Sequence, residues 1–171
     1  MARQVRFTYN GLGQLVTKTT SGVTTQYLID DLSPTGYPQV VEELVNGQVR
    51  REYTYGLERI SELQTVNGAP SASFYQYDGR GTVRLLTNSA GAVTDSFEYD
   101  AFGNLIASTG TTPNDYLYRG ERYDADLGFY YLRPPAGVFT GVSQIFKYQI
   151  RCYSQGKTLH SYPCKQPIMN M

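Results

Sequence analysis

Three short segments obey one rule: Tyr, then Asp or Asn, two variable residues, Gly, one variable residue, and Leu or Val. They are Tyr9-Asn10-Gly11-Leu12-Gly13-Gln14-Leu15, Tyr77-Asp78-Gly79-Arg80-Gly81-Thr82-Val83 and Tyr99-Asp100-Ala101-Phe102-Gly103-Asn104-Leu105. The chain's own residue frequencies give about 0.02 such matches by chance, so three of them make a repeat. A repeated unit of this size cannot bury its apolar face alone and depends on its neighbours. The chain is therefore restricted to stacked copies of one element. Its function is expected to lie in a surface or an enclosure rather than in a single reactive centre.

Each residue type in the rule has a physical reason. Gly13, Gly81 and Gly103 stand where a tight turn asks for positive φ, which Leu or Val adopt only at a cost. Asn10, Asp78 and Asp100 can accept a hydrogen bond from the backbone amide two residues on. Tyr9, Tyr77 and Tyr99 each offer a flat apolar ring and a polar hydroxyl, which suits a half-buried sheet surface. Sixteen tyrosines and no tryptophan, with abundant Val, Thr, Gly and Asn, favour strands and turns. The fold class is all-β, in antiparallel hairpins. Stacked units would align the rings as a ladder; a lesser reading of the same faces is stacking on sugars.

Alternation places strands over residues 3–9, 15–20 and 23–29, with a loop from Asp30 to Pro38. Asn46-Gly47 between two β-rich runs predicts a hairpin of about 40–45 with 48–55, since both residues tolerate the positive φ of a type I′ turn. A helix over 39–45, suggested by Glu42, Glu43 and Leu44, is outweighed by the β-branched pairs. Further strands are expected at 59–66, 73–77, 82–87, 93–99, 105–108 and 115–119, with Pro70 lengthening the loop that follows the second Asn-Gly at 67–68. Tyr77 and Tyr99 are 22 residues apart and Tyr9 and Tyr77 are 68 apart, close to three such periods. Degenerate copies should fill that gap, each unit contributing two strands and two turns. Pro134-Pro135 halts any strand that needs its amide hydrogens. Residues 1–133 therefore form the repeat region, and 134–171 a divergent, irregular tail.

Lys plus Arg and Asp plus Glu both total 15, and no basic run exists, so nucleic-acid binding is not expected. No signal-peptide core and no long apolar stretch is present, so membrane insertion is not expected either. Cys152 and Cys164 could form one short-loop bridge or remain free thiols. With His160 they lack the tight Cys-x-x-Cys spacing of a zinc site, and no cofactor or metal is expected. Asp124 and Asp126, with Glu121 nearby, are the one dense acidic group of the repeat region; in a strand the two aspartates would share a face as a self-cleaving dyad requires. Asp124 also completes a further Tyr-Asp pair with Tyr123, which explains it structurally. Asp30-Asp31 and Glu42-Glu43 read as solvated turns and edges. The Gly-x-Gly segments at 11–13 and 79–81 are followed by strands, not by the helix that a phosphate cradle needs. No catalytic residue is assigned, and the chain is not expected to be an enzyme.

The repeat resembles that of the YD-repeat, or Rhs, proteins. So do Tyr27-Leu28-Ile29-Asp30-Asp31 with Pro34-Thr35-Gly36-Tyr37 and Gln39-Val40-Val41-Glu42-Glu43; Tyr55-Gly56-Leu57-Glu58-Arg59-Ile60-Ser61; and Gly120-Glu121-Arg122-Tyr123-Asp124 through Leu127-Gly128-Phe129-Tyr130-Tyr131-Leu132-Arg133. The likeness covers roughly residues 3–133 and is to the repeat-associated core near the C-terminus of such proteins. It implies a sheet strip forming part of a hollow β-shell that encloses a C-terminal effector, often a toxin. The implied partners are neighbouring repeats and that enclosed polypeptide, and the implied location is secreted or at a bacterial cell surface. Several members cut themselves near an Asp-Pro-x-Gly motif after the Leu-Arg element. Here Pro134-Pro135-Ala136-Gly137 follows Arg133 and no Asp-Pro occurs. The expectation is thus a truncated scaffold segment without its own activity, able to self-associate through strand edges. Its alternatives are a carbohydrate-binding surface module and the remnant of a self-cleaving aspartyl core.

Overall fold

The computed structural model describes residues 4–66 and 68–131. Ten strands form one antiparallel meander: β1 (Val5–Tyr9), β2 (Leu15–Thr20), β3 (Val23–Asp30), β4 (Gln39–Val45), β5 (Gln48–Tyr55), β6 (Arg59–Val66), β7 (Ala69–Tyr77), β8 (Val83–Thr87), β9 (Val93–Tyr99) and β10 (Leu105–Thr109). Each strand pairs with the next in sequence, so β1 and β10 are the open edges. A small hairpin, β11 (Arg122–Asp124) with β12 (Phe129–Tyr131), lies outside this sheet. The expected all-β hairpin architecture is present. The strand at 39–45 settles the helical alternative, because its inward residues find partners across the ladder only in extended form.

A meander has two rims. Links from odd to even strands (10–14, 31–38, 56–58, 78–82 and 100–104) all fall on one, here called the loop rim. The short links from even to odd strands fall on the other, the turn rim. Asn46 and Gly47 have φ of 53° and 74°, as a type I′ turn requires, and β4 and β5 flank them as expected. At the next hairpin Val66 faces Ala69, so Pro70 lies inside β7 rather than in a longer loop. It is tolerated there because β8 pairs only with residues 74–77 and leaves that flank of β7 without a neighbour.

One sheet face is covered by the chain itself. After β10 the backbone turns at Gly110 and residues 110–131, the strap, run back across the sheet. Tyr53, Tyr75, Val83, Leu86 and Phe97 of the sheet bury against Tyr116, Leu117 and Tyr130 of the strap. The strand expected at 115–119 does not form. Tyr116 and Leu117 are adjacent and both buried, which period-two alternation cannot achieve. An isolated bridge from Tyr116 to Arg122 and a 3-10 turn at Tyr118–Gly120 replace it, with Arg119 at φ 55°.

Candidate functional site

The repeat residues build identical loops. Oδ1 of Asn10, Asp78 and Asp100 each accepts the backbone amides two and four residues on, at 2.8–3.1 Å. Gly13, Gly81 and Gly103 take φ of 76°, 75° and 84° and donate their amides back to those residues' carbonyls. Desolvation would raise the Asp78 carboxyl, but hydrogen bonds from the Arg80 and Thr82 amides and from Arg84 together outweigh it and lower it; the Asn104 side chain, with backbone amides, lowers Asp100 against desolvation. Tyr123-Asp124 makes a related turn one residue longer, with Asp124 Oδ1 accepting from Asp126 and Leu127 and Gly128 at φ 72°.

Two degenerate copies fill the long gap, as the spacing predicted. Ile29-Asp30 keeps the capping carboxylate and lacks the ring; Asp30 accepts the Leu32 amide at 3.0 Å. Tyr55-Gly56 keeps the ring and lacks the carboxylate. The Tyr55 and Tyr77 hydroxyls reach across to the Val40 and Arg59 carbonyls at 2.9 and 2.8 Å, tying each hairpin to the previous one. A further copy at Asn88–Ala92 repeats the loop on the turn rim without any tyrosine.

The covered face is polar as well as aromatic. Facing residues form the rows Tyr27–Glu43–Arg51–Gln64, Tyr53–Glu62–Ser73 and Tyr75–Leu86–Asp95. The strap supplies their counter-groups. Thr112 donates its amide and hydroxyl to buried Asp95 at 2.9 and 2.6 Å. Asn114 accepts the Tyr75 hydroxyl at 3.0 Å, and Asp115 takes Arg51 at 2.7 Å. Arg122 contacts the Tyr27 hydroxyl and lies 3.9 Å from Glu43. Arg59 is buried with its guanidinium 3.1 Å from the centre of the Tyr116 ring and near the rings of Tyr53, Tyr55 and Tyr75. Burial alone would lower the pKa values of Arg51, Arg59 and Arg122; surrounding carboxylates and phenols reverse this and all three stay charged.

Glu43 is thus no solvated edge residue. It is buried, accepts the Tyr53 hydroxyl at 3.1 Å and faces Arg51 at 3.4 Å. The row of alternating charges could be glimpsed in sequence, because Arg51 shares strand parity with Tyr53 and Tyr55. Glu62 is fully enclosed, held by the Tyr75 hydroxyl at 2.9 Å and Gln64 at 3.2 Å. Burial pushes its carboxyl up to about 7.

Asp124 at the end of β11 and Asp126 in the turn after it do converge, but not as neighbours on one strand face. Lys18 Nζ reaches both at 2.8 Å. Burial would lower the lysine's pKa; the two carboxylates more than offset this and raise it. A dyad that shares a proton needs two carboxyls facing one another, whereas here an ammonium group joins them. Between strap and sheet, Lys18, Tyr27, Glu43, Arg50, Arg51 and Arg122 line part of an open recess of about 430 Å³. Among the described residues no three His, Cys, Asp or Glu side chains gather as a metal site would require. Cys152, His160 and Cys164 lie outside the described residues.

No family model matches the chain. Over 96% of its length it is similar to three bacterial proteins: the tRNA3(Ser)-specific nuclease WapA of Bacillus spizizenii at 33% identity, the tRNA nuclease WapA of Bacillus subtilis strain 168 at 32%, and the tRNA(Glu)-specific nuclease WapA of Bacillus subtilis subsp. natto at 33%. The chain spans only 7% of the length of each.

Proposed function

We propose that this chain is a wall segment of an Rhs, or YD-repeat, protein of the WapA kind, and that its strap locks the segment's inner face. In the full-length protein the wall would enclose a C-terminal effector, and the whole would be secreted or held at the cell surface. The observation that carries this reading is the strap itself. It anchors on β2, β3, β5, β7 and β9, so one short segment fixes the relative placement of most of the meander. A reactive site has no need of such a distributed anchor, whereas a wall that must hold its shape does.

The relatives supply a second support. Two of them are named for different tRNAs, tRNA3(Ser) and tRNA(Glu), yet both match this chain at 33% identity. A stretch that chose among tRNAs would be expected to follow those differences. The balanced charge of the chain also offers no cationic track for a phosphate backbone. The segment is therefore assigned scaffolding and not nuclease chemistry.

The test is a graft. Residues 1–131 replace the matched stretch of the Bacillus subtilis relative, and the hybrid is digested with trypsin under native conditions. Protection of the polypeptide downstream of the graft is expected, with protection lost when Arg51 and Arg122 are both changed to Glu. A downstream segment that is cut equally fast in both hybrids and in the unfolded protein would overturn the reading. Incubating the ungrafted chain with and without Asp126→Asn checks the self-cleaving alternative, which requires fragments that appear with time only in the unchanged protein.

A further inference from the structure

The β4–β5 ladder contains an irregularity that redirects a charge. Glu43 faces Arg51 while Leu44 faces Val49, so β5 carries one residue more than β4 at this point, and that residue is Arg50. In a regular strand Arg50 and Arg51 would point to opposite faces of the sheet. The bulge breaks the alternation, and both arginines line the open recess between strap and sheet. Neighbouring guanidinium groups on one face repel each other, so the arrangement calls for negative charge nearby.

The charges already present do not supply enough of it. Lys18 is engaged by Asp124 and Asp126, which are not part of the lining. Arg50, Arg51 and Arg122 then face only Glu43 and Asp115. Arg51 takes Asp115 at 2.7 Å and Glu43 at 3.4 Å through the same Nη1, and Arg122 reaches Glu43 at 3.9 Å and the Tyr27 hydroxyl. Arg50 is exposed and makes no ion pair or hydrogen bond among the described residues. Thr20, on the same wall, has a buried hydroxyl without a partner, so hydrogen-bonding capacity is also left over. At about 430 Å³ the recess is within the size range of small-ligand sites.

We infer that this recess binds the carboxylate of an acidic side chain presented by a peptide, with Arg50 as its primary contact. A guanidinium fork matches a carboxylate in shape as well as charge. One added monoanion balances the arginine left over, whereas a phosphate dianion would bring excess negative charge against Glu43 and Asp115. The molecule holds a precedent for this pairing. The strap carries the Asp115 carboxylate across the sheet face to Arg51, and the recess offers the adjacent arginine to a second segment of the same chemistry. Which polypeptide supplies that segment rests on the wall-segment reading: there this face looks inward, and the peptide belongs to the enclosed polypeptide.

Titration of the full chain with acetyl-Ala-Glu-Ala-amide, followed through the arginine Nε–Hε signals by NMR, measures this directly. Saturable shifts at Arg50 and Arg51 are expected. Acetyl-Ala-Gln-Ala-amide has the same shape without the charge and should bind at least about tenfold more weakly. The glutamate peptide should lose affinity by a similar factor, about tenfold, in Arg50→Gln. Because Arg50 makes no bond within the fold, that variant should keep the far-UV circular dichroism and the urea midpoint of wild type. Inorganic phosphate should bind more weakly than the glutamate peptide. Absence of saturable shifts at the recess, equal affinity for the two peptides, unchanged affinity in Arg50→Gln, or tighter binding of phosphate would each overturn the inference. Failure of the trypsin-protection graft, by contrast, would remove the enclosed polypeptide as the source of the peptide and leave the carboxylate site standing.

Discussion

Glu62 makes the strongest quantitative prediction, because its carboxyl is enclosed while its strand is the sixth of ten. Its folded pKa of about 7 lies above the ordinary 4.5, with burial the largest cause. A carboxyl whose pKa rises on folding binds its proton more tightly in the folded state. It therefore favours folding below pH 4.5, and that contribution is lost as pH rises to and beyond 7. The difference between the limits is about 3 kcal/mol. Glu62→Gln keeps the shape and the acceptor for Tyr75 but cannot ionise. Urea unfolding of both proteins, followed by tyrosine fluorescence from pH 4.5 to 8.5, isolates the effect, since the other carboxylates cancel in the difference. The variant should gain on wild type by roughly 2–3 kcal/mol as pH rises across this range. A difference that stays flat with pH would refute the reasoning and place the Glu62 carboxylate in a well-solvated or fully ion-paired setting.

Three further substitutions separate turn, latch and cage. At Gly103, φ is 84° and an added Cβ would lie 2.6 Å from the Tyr118 ring, whereas Gly13, at φ 76°, faces open space. Gly13→Ala should cost about 1 kcal/mol and Gly103→Ala roughly 2–3 kcal/mol, read by the same urea titration. Lys18→Met leaves the Asp124 and Asp126 carboxylates without their shared cation and should cost about 3 kcal/mol, with faster hydrogen exchange at 122–131 and little change in β6–β8. Because the lysine pKa is raised, this contribution is complete below pH 10.5 and fades only above it. Arg59→Lys keeps the charge but loses the flat stack on Tyr116, and should lower stability by about 1–2 kcal/mol and restore exchange at Tyr116 and Leu117.

The meander was legible because local chemistry dictates it. Asn-Gly at 46–47, the Tyr-Asp turns and the alternating runs between them each specify a hairpin without reference to the rest of the chain. The Ile29-Asp30 and Tyr55-Gly56 turns fall outside the strict repeat rule, though the spacing points to them, for an equally local reason. Each keeps half the signature, and either a cap or a cross-hairpin hydroxyl suffices to hold the turn. The strap escaped because its logic is tertiary. Nothing near Asp115 or Arg122 in sequence announces that Arg51 and Tyr27, 64 and 95 residues away, are their partners. The burial of Glu43, Glu62 and Asp95 likewise becomes legible only once the strap has covered their face.

Hydrogen exchange along the full chain, resolved by peptide, tests the central claim that strap and sheet form one locked unit. Amides of residues 115–118 and 122–131 should be protected to nearly the same degree as those of β5–β8, and both sets should open together in mild denaturant. A strap that exchanges freely while the sheet beneath stays protected would contradict it.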